Sequence, residues 1–200
     1  MFRILILFLL FFTLSSCSSP EGTWGWYVID PSTKAGWTNI KFLVGGFYST
    51  ILLSIIAAFL SIFIGLVVAL PAMSDNKLLK LFNRVYVEFI RSIPLLPMLF
   101  WVFYGLPVIL KSMGIDANID AFWGAIITLA ISDSAFTAEI YRAGIQSISK
   151  GQTEAAKTIG LNYYQTMRYV IMPQALRRIL PPLANQFIYI VKMSAFASVI

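Results

Sequence analysis

Between Lys41 and Asp75 no charged side chain occurs. A run from Phe42 to Met73 is longer than the about 20–25 residues that a tilted helix needs to cross a bilayer. The whole chain shares this character, with 58% hydrophobic and 12% charged residues and a mean hydropathy of +0.79. A soluble domain of this length has no use for so much apolar surface. The chain is an integral membrane protein. Within the run, Ala57, Ser61, Gly65 and Ala69 recur every four positions. Such a stripe lets helix backbones approach closely in lipid, either inside the subunit or along a dimer seam.

Three more segments read as spans. Val85 to Leu110 is apolar after Glu88 and Arg91 and contains Pro94, Pro97 and Pro107. Proline frees backbone carbonyls, which a membrane tolerates only where protein or a wet cavity satisfies them. Glu88 and Arg91, three apart, fit an ion pair on one helical face; Arg91 equally fits a place in gating or in a solute path. Ala121 to Ile140 is a weaker span, with Asp133 inside it and Glu139 near its end. An acid at membrane depth faces a cavity or a partner, so Asp133 is a candidate for the solute path or for a structural pairing, with Lys192 as one partner. Glu139 is expected to pair with Arg142 or Arg91. Leu180 to Ile200 opens a fourth span with Pro181, Pro182, Asn185, Gln186 and Lys192. The expected fold class is an all-α, polytopic transmembrane helical bundle.

The N-terminus reads as a targeting segment. Arg3 precedes an apolar run from Ile4 to Leu14, signal-peptide length rather than a comfortable span. Leu14-Ser15-Ser16-Cys17 resembles a lipobox, which makes Cys17 a lipidation candidate; an uncleaved signal anchor with an incidental cysteine is the other reading. Residues 18–41, rich in Ser, Pro, Gly and Trp, are expected outside the membrane on the extracytoplasmic side, resting at the interface or forming a linker.

Charge orients the bundle. Lys77, Lys80, Arg84, Arg142, Lys150, Lys157, Arg168, Arg177 and Arg178 fall in loops on one side, and only Lys34, Lys41 and Lys111 in loops on the other. The positive-inside rule makes the first side cytoplasmic. Scattered in this way, the net charge of +6 forms no basic stripe and argues against nucleic acid. With no His and one Cys, a His/Cys metal cluster is excluded. No Gly-x-x-x-x-Gly-Lys-Ser/Thr phosphate loop occurs, so ATP is not bound by that route and no cofactor is expected.

One polar loop, residues 142–175, carries the most specific pattern. Ser149 with Gln152 predicts a capping box opening a short helix; Ala155 and Ala156 give it a smooth face; Gly160 suits a left-handed stop. Asn162 with Gln165 predicts a second cap, and Pro173 is expected to end the helix from Tyr163 to Met172. Glu154-Ala155-Ala156, three residues, Gly160, nine residues, then Val170 and Met172-Pro173 resembles the coupling-loop motif of ABC-importer permease subunits. Glu139-Ile140-Tyr141-Arg142-Ala143-Gly144-Ile145, Gly151-Gln152, Met172-Pro173-Gln174-Ala175-Leu176-Arg177 and Arg91-Ser92-Ile93-Pro94-Leu95-Leu96 are similar to its polar-amino-acid branch. The likeness runs from Val44 to Ile200.

That resemblance implies a plasma-membrane (inner-membrane) permease whose Glu154, Ala155, Ala156, Gly160 and Pro173 couple to a cytoplasmic ABC ATPase dimer. It implies a second permease subunit, like or unlike, and an extracytoplasmic solute-binding protein. At Lys192-Met193-Ser194-Ala195-Phe196 the chain has Met193 where the family commonly has an acid. The family also continues past the position of Ile200 with one more span, so a fragment or degenerate copy is an expectation. A non-transporting membrane lipoprotein or scaffold is the alternative reading. A membrane enzyme built on Asp133, Glu139 and Glu88 lacks any accompanying nucleophile or metal cluster.

Overall fold

The computed structural model describes residues 25–74, 76–116 and 118–200; Cys17 and the targeting segment lie outside them. The chain divides into two compact units, Met1–Tyr48 and Ser49–Ile200. Every regular element among the described residues is helical.

In the first unit, a 3-10 turn at Trp26–Ile29 precedes helix α1, Lys34–Ala69. The Asp30 carboxylate accepts from the Ser32 N–H at 2.9 Å and the Ser32 hydroxyl at 2.8 Å. Those two bonds hold its pKa below the ordinary carboxylate value. Thr33 then accepts from the Gly36 N–H at 3.0 Å. Residues 34–41, expected to belong to an extracytoplasmic segment, are thus already helical.

In the second unit, α1 runs to Ala69 and a 3-10 turn, Leu70–Met73, closes it. Its stripe is buried throughout. A Cβ on Gly65 would lie 2.7 Å from Thr137 Cγ2 and 3.0 Å from the Ser134 carbonyl oxygen. Of the two uses open to the stripe, packing inside the subunit is the one realised.

The expected span Val85 to Leu110 is two elements. Helix α2, Lys77–Ser92, is capped by Asn76, which accepts from the Leu78 N–H at 2.9 Å. Pro94 then forces Ile93 into extended backbone (φ −90°, ψ 121°), because the ring of a proline excludes the helical conformation from the residue before it. Helix α3, Leu95–Ser112, follows and is the apolar span. Pro107 within it is accommodated by a π segment, Trp101–Gly105, in which the Leu106 N–H reaches back to the Trp101 carbonyl. The wider turn relieves the crowding that a proline ring imposes on the carbonyl four residues back.

Helix α4, Ala121–Gln146, is capped by Asp120 and carries more buried residues than any other element. Helix α5, Lys150–Thr158, a turn at Tyr163–Gln165, a π segment at Thr166–Ile171 and helix α6, Met172–Met193, complete the chain with a 3-10 end at Ser194–Val199. The expected stop at Pro173 does not occur. Pro173 sits in the first turn of α6, and the preceding π segment, with the Met172 N–H bonded to the Met167 carbonyl, absorbs it as at Pro107. The last helix therefore starts well before Leu180 and contains Pro181 and Pro182.

Leu53, Ala57 and Ala58 of α1, Leu99 of α3, Ala125, Ile126 and Leu129 of α4 and Ile190 of α6 form the largest core cluster. Phe59, Phe63 and Val67 point out of α1 and stay exposed, as a hydrocarbon-facing surface requires. Lys34–Met73, Leu95–Ser112 and Ala121–Gln146 are long and apolar enough to cross a membrane.

Helix α4 meets α6 at Gly144, where a Cβ would lie 2.3 Å from Ile179 Cγ1. Gly144→Ala is expected to cost about 1–3 kcal/mol by overpacking, seen as a lower melting temperature in detergent. Combined with Ile179→Ala, the loss should be smaller than the sum of the two singles. Additive losses would contradict this contact.

Candidate functional site

The loop between α4 and α6 is largely exposed, with Ile148, Ala156 and Ile171 turned inward. Ser149 occupies the cap position of α5 in extended backbone (φ −62°, ψ 143°) but its side chain makes no cap bond. The expected box does not form: the Gln152 N–H bonds to the Ser149 carbonyl and Gln152 Oε1 accepts from Gln174 Nε2 at 3.0 Å. Gln174 also donates to the Val170 carbonyl at 2.8 Å, and Arg178 donates to the Ser147 carbonyl at 2.6 Å. The bonds from Gln174 and Arg178 fasten the N-terminal part of the loop, at Gln152 and Ser147, to the start of α6.

Gly160 adopts φ +85°, the left-handed conformation that a Cβ disfavours. The Leu161 N–H bonds to the Ala156 carbonyl at 3.1 Å and the Gly160 N–H to the Lys157 carbonyl at 2.9 Å, the paired bonds of a Schellman stop. The second cap forms as the sequence predicts: Gln165 N–H donates to Asn162 Oδ1 at 2.9 Å and Asn162 N–H to Gln165 Oε1 at 3.0 Å. Ala156 faces inward at 3% exposure, while Glu154 and Ala155 face out. Ile159, Tyr163 and Tyr164 stand exposed beside them. A stiff knob with an apolar tip and a carboxylate is the result.

Asp133, near the middle of α4, is 4% exposed. Ser61 of α1 donates to its Oδ2, Thr137 donates to the same oxygen at 3.1 Å, and Gln186 of α6 donates to Oδ1. The Ser61 and Thr137 hydroxyl oxygens lie 3.0 Å apart, brought together by the oxygen to which both donate. One carboxylate thereby ties three helices together. Sequence reading singled out Asp133 but not its partners. Ser61 stood in the small-residue stripe and Gln186 among polar residues of the last helix, and nothing in their spacing joins them to Asp133.

The other path candidates lie elsewhere. Lys192 is exposed. Arg91 is exposed and sets its guanidinium 4.9 Å over the Phe136 ring. Among the described residues no ion pair joins Glu88 to Arg91. Glu139 pairs with Arg142 in a two-bond contact, one of its two expected partners. Arg91, Glu139 and Arg142 do share a cavity of about 460 Å³ with Lys80, Arg84 and Glu88. Among the described residues no cluster of metal-ligating side chains occurs.

Asp133→Ala is expected to strand the Gln186 amide and one of the two hydroxyls, since Ser61 and Thr137 can then bond each other, at about 1–3 kcal/mol. Asp133→Asn should lose less, since Gln186 can turn its amide to accept from the new NH2. Thermal melting of the purified variants in detergent checks the order; an alanine variant as stable as the parent would contradict the tie.

A family model described as binding-protein-dependent transport system inner membrane component matches residues 61–200. A probable glutamine ABC transporter permease protein of Bacillus subtilis (strain 168), GlnM, is 43% identical over 162 residues, 81% of this chain and 72% of that protein. The L-cystine transport system permease protein TcyL of the same organism is 41% identical over 135 residues, 67% of this chain and 56% of that protein. A crystal structure of an amino acid ABC transporter with histidines superposes with a TM-score of 0.71 at 41% identity, covering 82% of this chain and 75% of that one. The chain belongs to the inner-membrane permease components of binding-protein-dependent transport systems.

Proposed function

We propose that this permease passes polar amino acids into the cell, driven by a cytoplasmic ATPase dimer that grips the loop around Glu154, Ala155, Ala156 and Gly160. The observation that carries the reading is that loop: an exposed knob with a Schellman stop at Gly160, held to α6 through Gln152–Gln174 and Arg178–Ser147. A knob so fastened transmits a displacement to the spans rather than absorbing it. Closure of the ATPase on ATP moves the knob, and the spans rock between outward and inward openings. An external binding protein delivers the solute and a second permease subunit, identical or not, completes the path. The amino-acid class follows from relatives named for glutamine and cystine at similar identity. Asp133 acts as the pin of the bundle, while exposed Lys192 is available to solute.

In this reading the knob lies in the cytoplasm and Lys111, at the C-terminal end of α3, lies outside. Cysteines placed at Gln152 and at Lys111 in a Cys17→Ser background should label from opposite sides of intact cells; labelling of both from one side contradicts the orientation.

A Cβ at position 160 meets no atom within 4 Å, so the cost of Gly160→Val is conformational, about 1–2 kcal/mol. Gly160→Val and Glu154→Lys should each weaken co-purification of the ATPase while leaving insertion intact. Wild-type recovery of the ATPase with both variants would reject the docking.

A further inference from the structure

We propose that the charged face of α2 and the cavity beside it bind the headgroup of an anionic phospholipid of the cytoplasmic leaflet, with the acyl chains along the helix's apolar face. The placement in that leaflet rests on the orientation proposed above.

Helix α2 has three faces. Asn83, Val87 and Ile90 are buried; Asn83 Nδ2 donates to the Val68 carbonyl at 2.7 Å and the Tyr86 hydroxyl meets Ser134 Oγ at 2.7 Å. Those two bonds fix the rotation of the helix. A second face, Leu78, Phe82, Val85 and Phe89, is apolar and 57–74% exposed. The third face presents Lys80, Arg84, Glu88 and Arg91 to the cavity of about 460 Å³, which Arg142 and Glu139 of α4 complete. Four cations thus meet two carboxylates, and one of those carboxylates is already taken by Arg142. Among the described residues no ion pair involves Lys80 or Arg84, and Glu88 is the acid that shares their face.

A helix with an apolar face, a basic face and low net hydrophobicity lies along a membrane boundary rather than across it. The basic face then sits at phosphate depth, where each cation favours anionic lipid. Arg84 offers a two-pronged donor set to phosphate oxygens and Lys80 a point charge. The apolar face runs along the same helix, so one molecule with a phosphate and two chains fits both faces. A soluble anion fits only one of them, and a second copy of the chain would place its own cations against these.

The test is native mass spectrometry of the full chain in detergent, titrated with phosphatidylglycerol or with phosphatidylcholine of the same chains. Each cation is worth about fivefold, so the parent should prefer phosphatidylglycerol by roughly 25-fold, and Lys80→Gln/Arg84→Gln should bring the preference near unity. Lys111→Gln should leave it unchanged. Phe82→Gln should weaken both lipids alike, and sn-glycerol 3-phosphate should displace neither. Equal retention of the two lipids, an unchanged preference in the double variant, or displacement by glycerol phosphate would overturn the site. So would a dimer that Phe82→Gln dissociates without changing lipid retention. Lipid binding in detergent does not depend on orientation or on the ATPase, so failure here leaves the labelling and co-purification results to stand or fall alone.

Discussion

A carboxylate in the middle of an apolar helix must have its oxygens filled, and that requirement sets the arrangement of this bundle. Asp133 accepts from α1 through Ser61, from its own helix through Thr137 and from α6 through Gln186. In hydrocarbon the hydrophobic effect does not hold helices together, so close packing and interhelical hydrogen bonds set their positions. Gly65 and Gly144 supply the first, by letting α1 and α6 come within side-chain contact of α4. Asp133 supplies the second. The loop gains its leverage from this, because α6, which carries the loop's fastening residues, is pinned to the same node.

Prolines act in this chain as shapers rather than stops. Pro94 does break the path, separating helix α2 from the apolar helix α3. Pro107 and Pro173 do not; each stands one residue beyond a π segment that bends around the missing donor. At Pro173 the consequence is mechanical, since the loop joins α6 through continuous helical backbone. Each of these two sites places a π-type bond one residue before the proline.

Much of this was legible in the residues. The uncharged run announced α1, the four-residue period announced its packing face, and the loop string announced the family together with its Asn162 cap and Gly160 stop. What failed, failed for tertiary reasons. Ser149 and Gln152 have the right spacing for a box, yet Gln174 from a different helix claims the carboxamide. Glu88 and Arg91 have the right spacing for a pair, yet Arg91 turns to Phe136. The partners of Asp133 on other helices lie 72 and 53 positions away in sequence, beyond any local period. Helix α2 went unseen because its first half was read as loop and its second half, from Val85, as part of a span; its three-sidedness shows only when burial separates Asn83 from Phe82 and Arg84.

The central claim is that the exposed face of the 150–160 knob is where the ATPase pulls. Ala155 is exposed, small and one residue from Glu154, so Ala155→Cys should leave the Schellman stop undisturbed. With a matching cysteine on the ATPase cleft and a short bismaleimide, Ala155→Cys should cross-link in membranes, more readily or less so as ATP is added, while Lys111→Cys at the far end of the bundle should give no product. Absence of a cross-link at Ala155 in a complex that co-purifies, or equal yield at Lys111, would contradict the account.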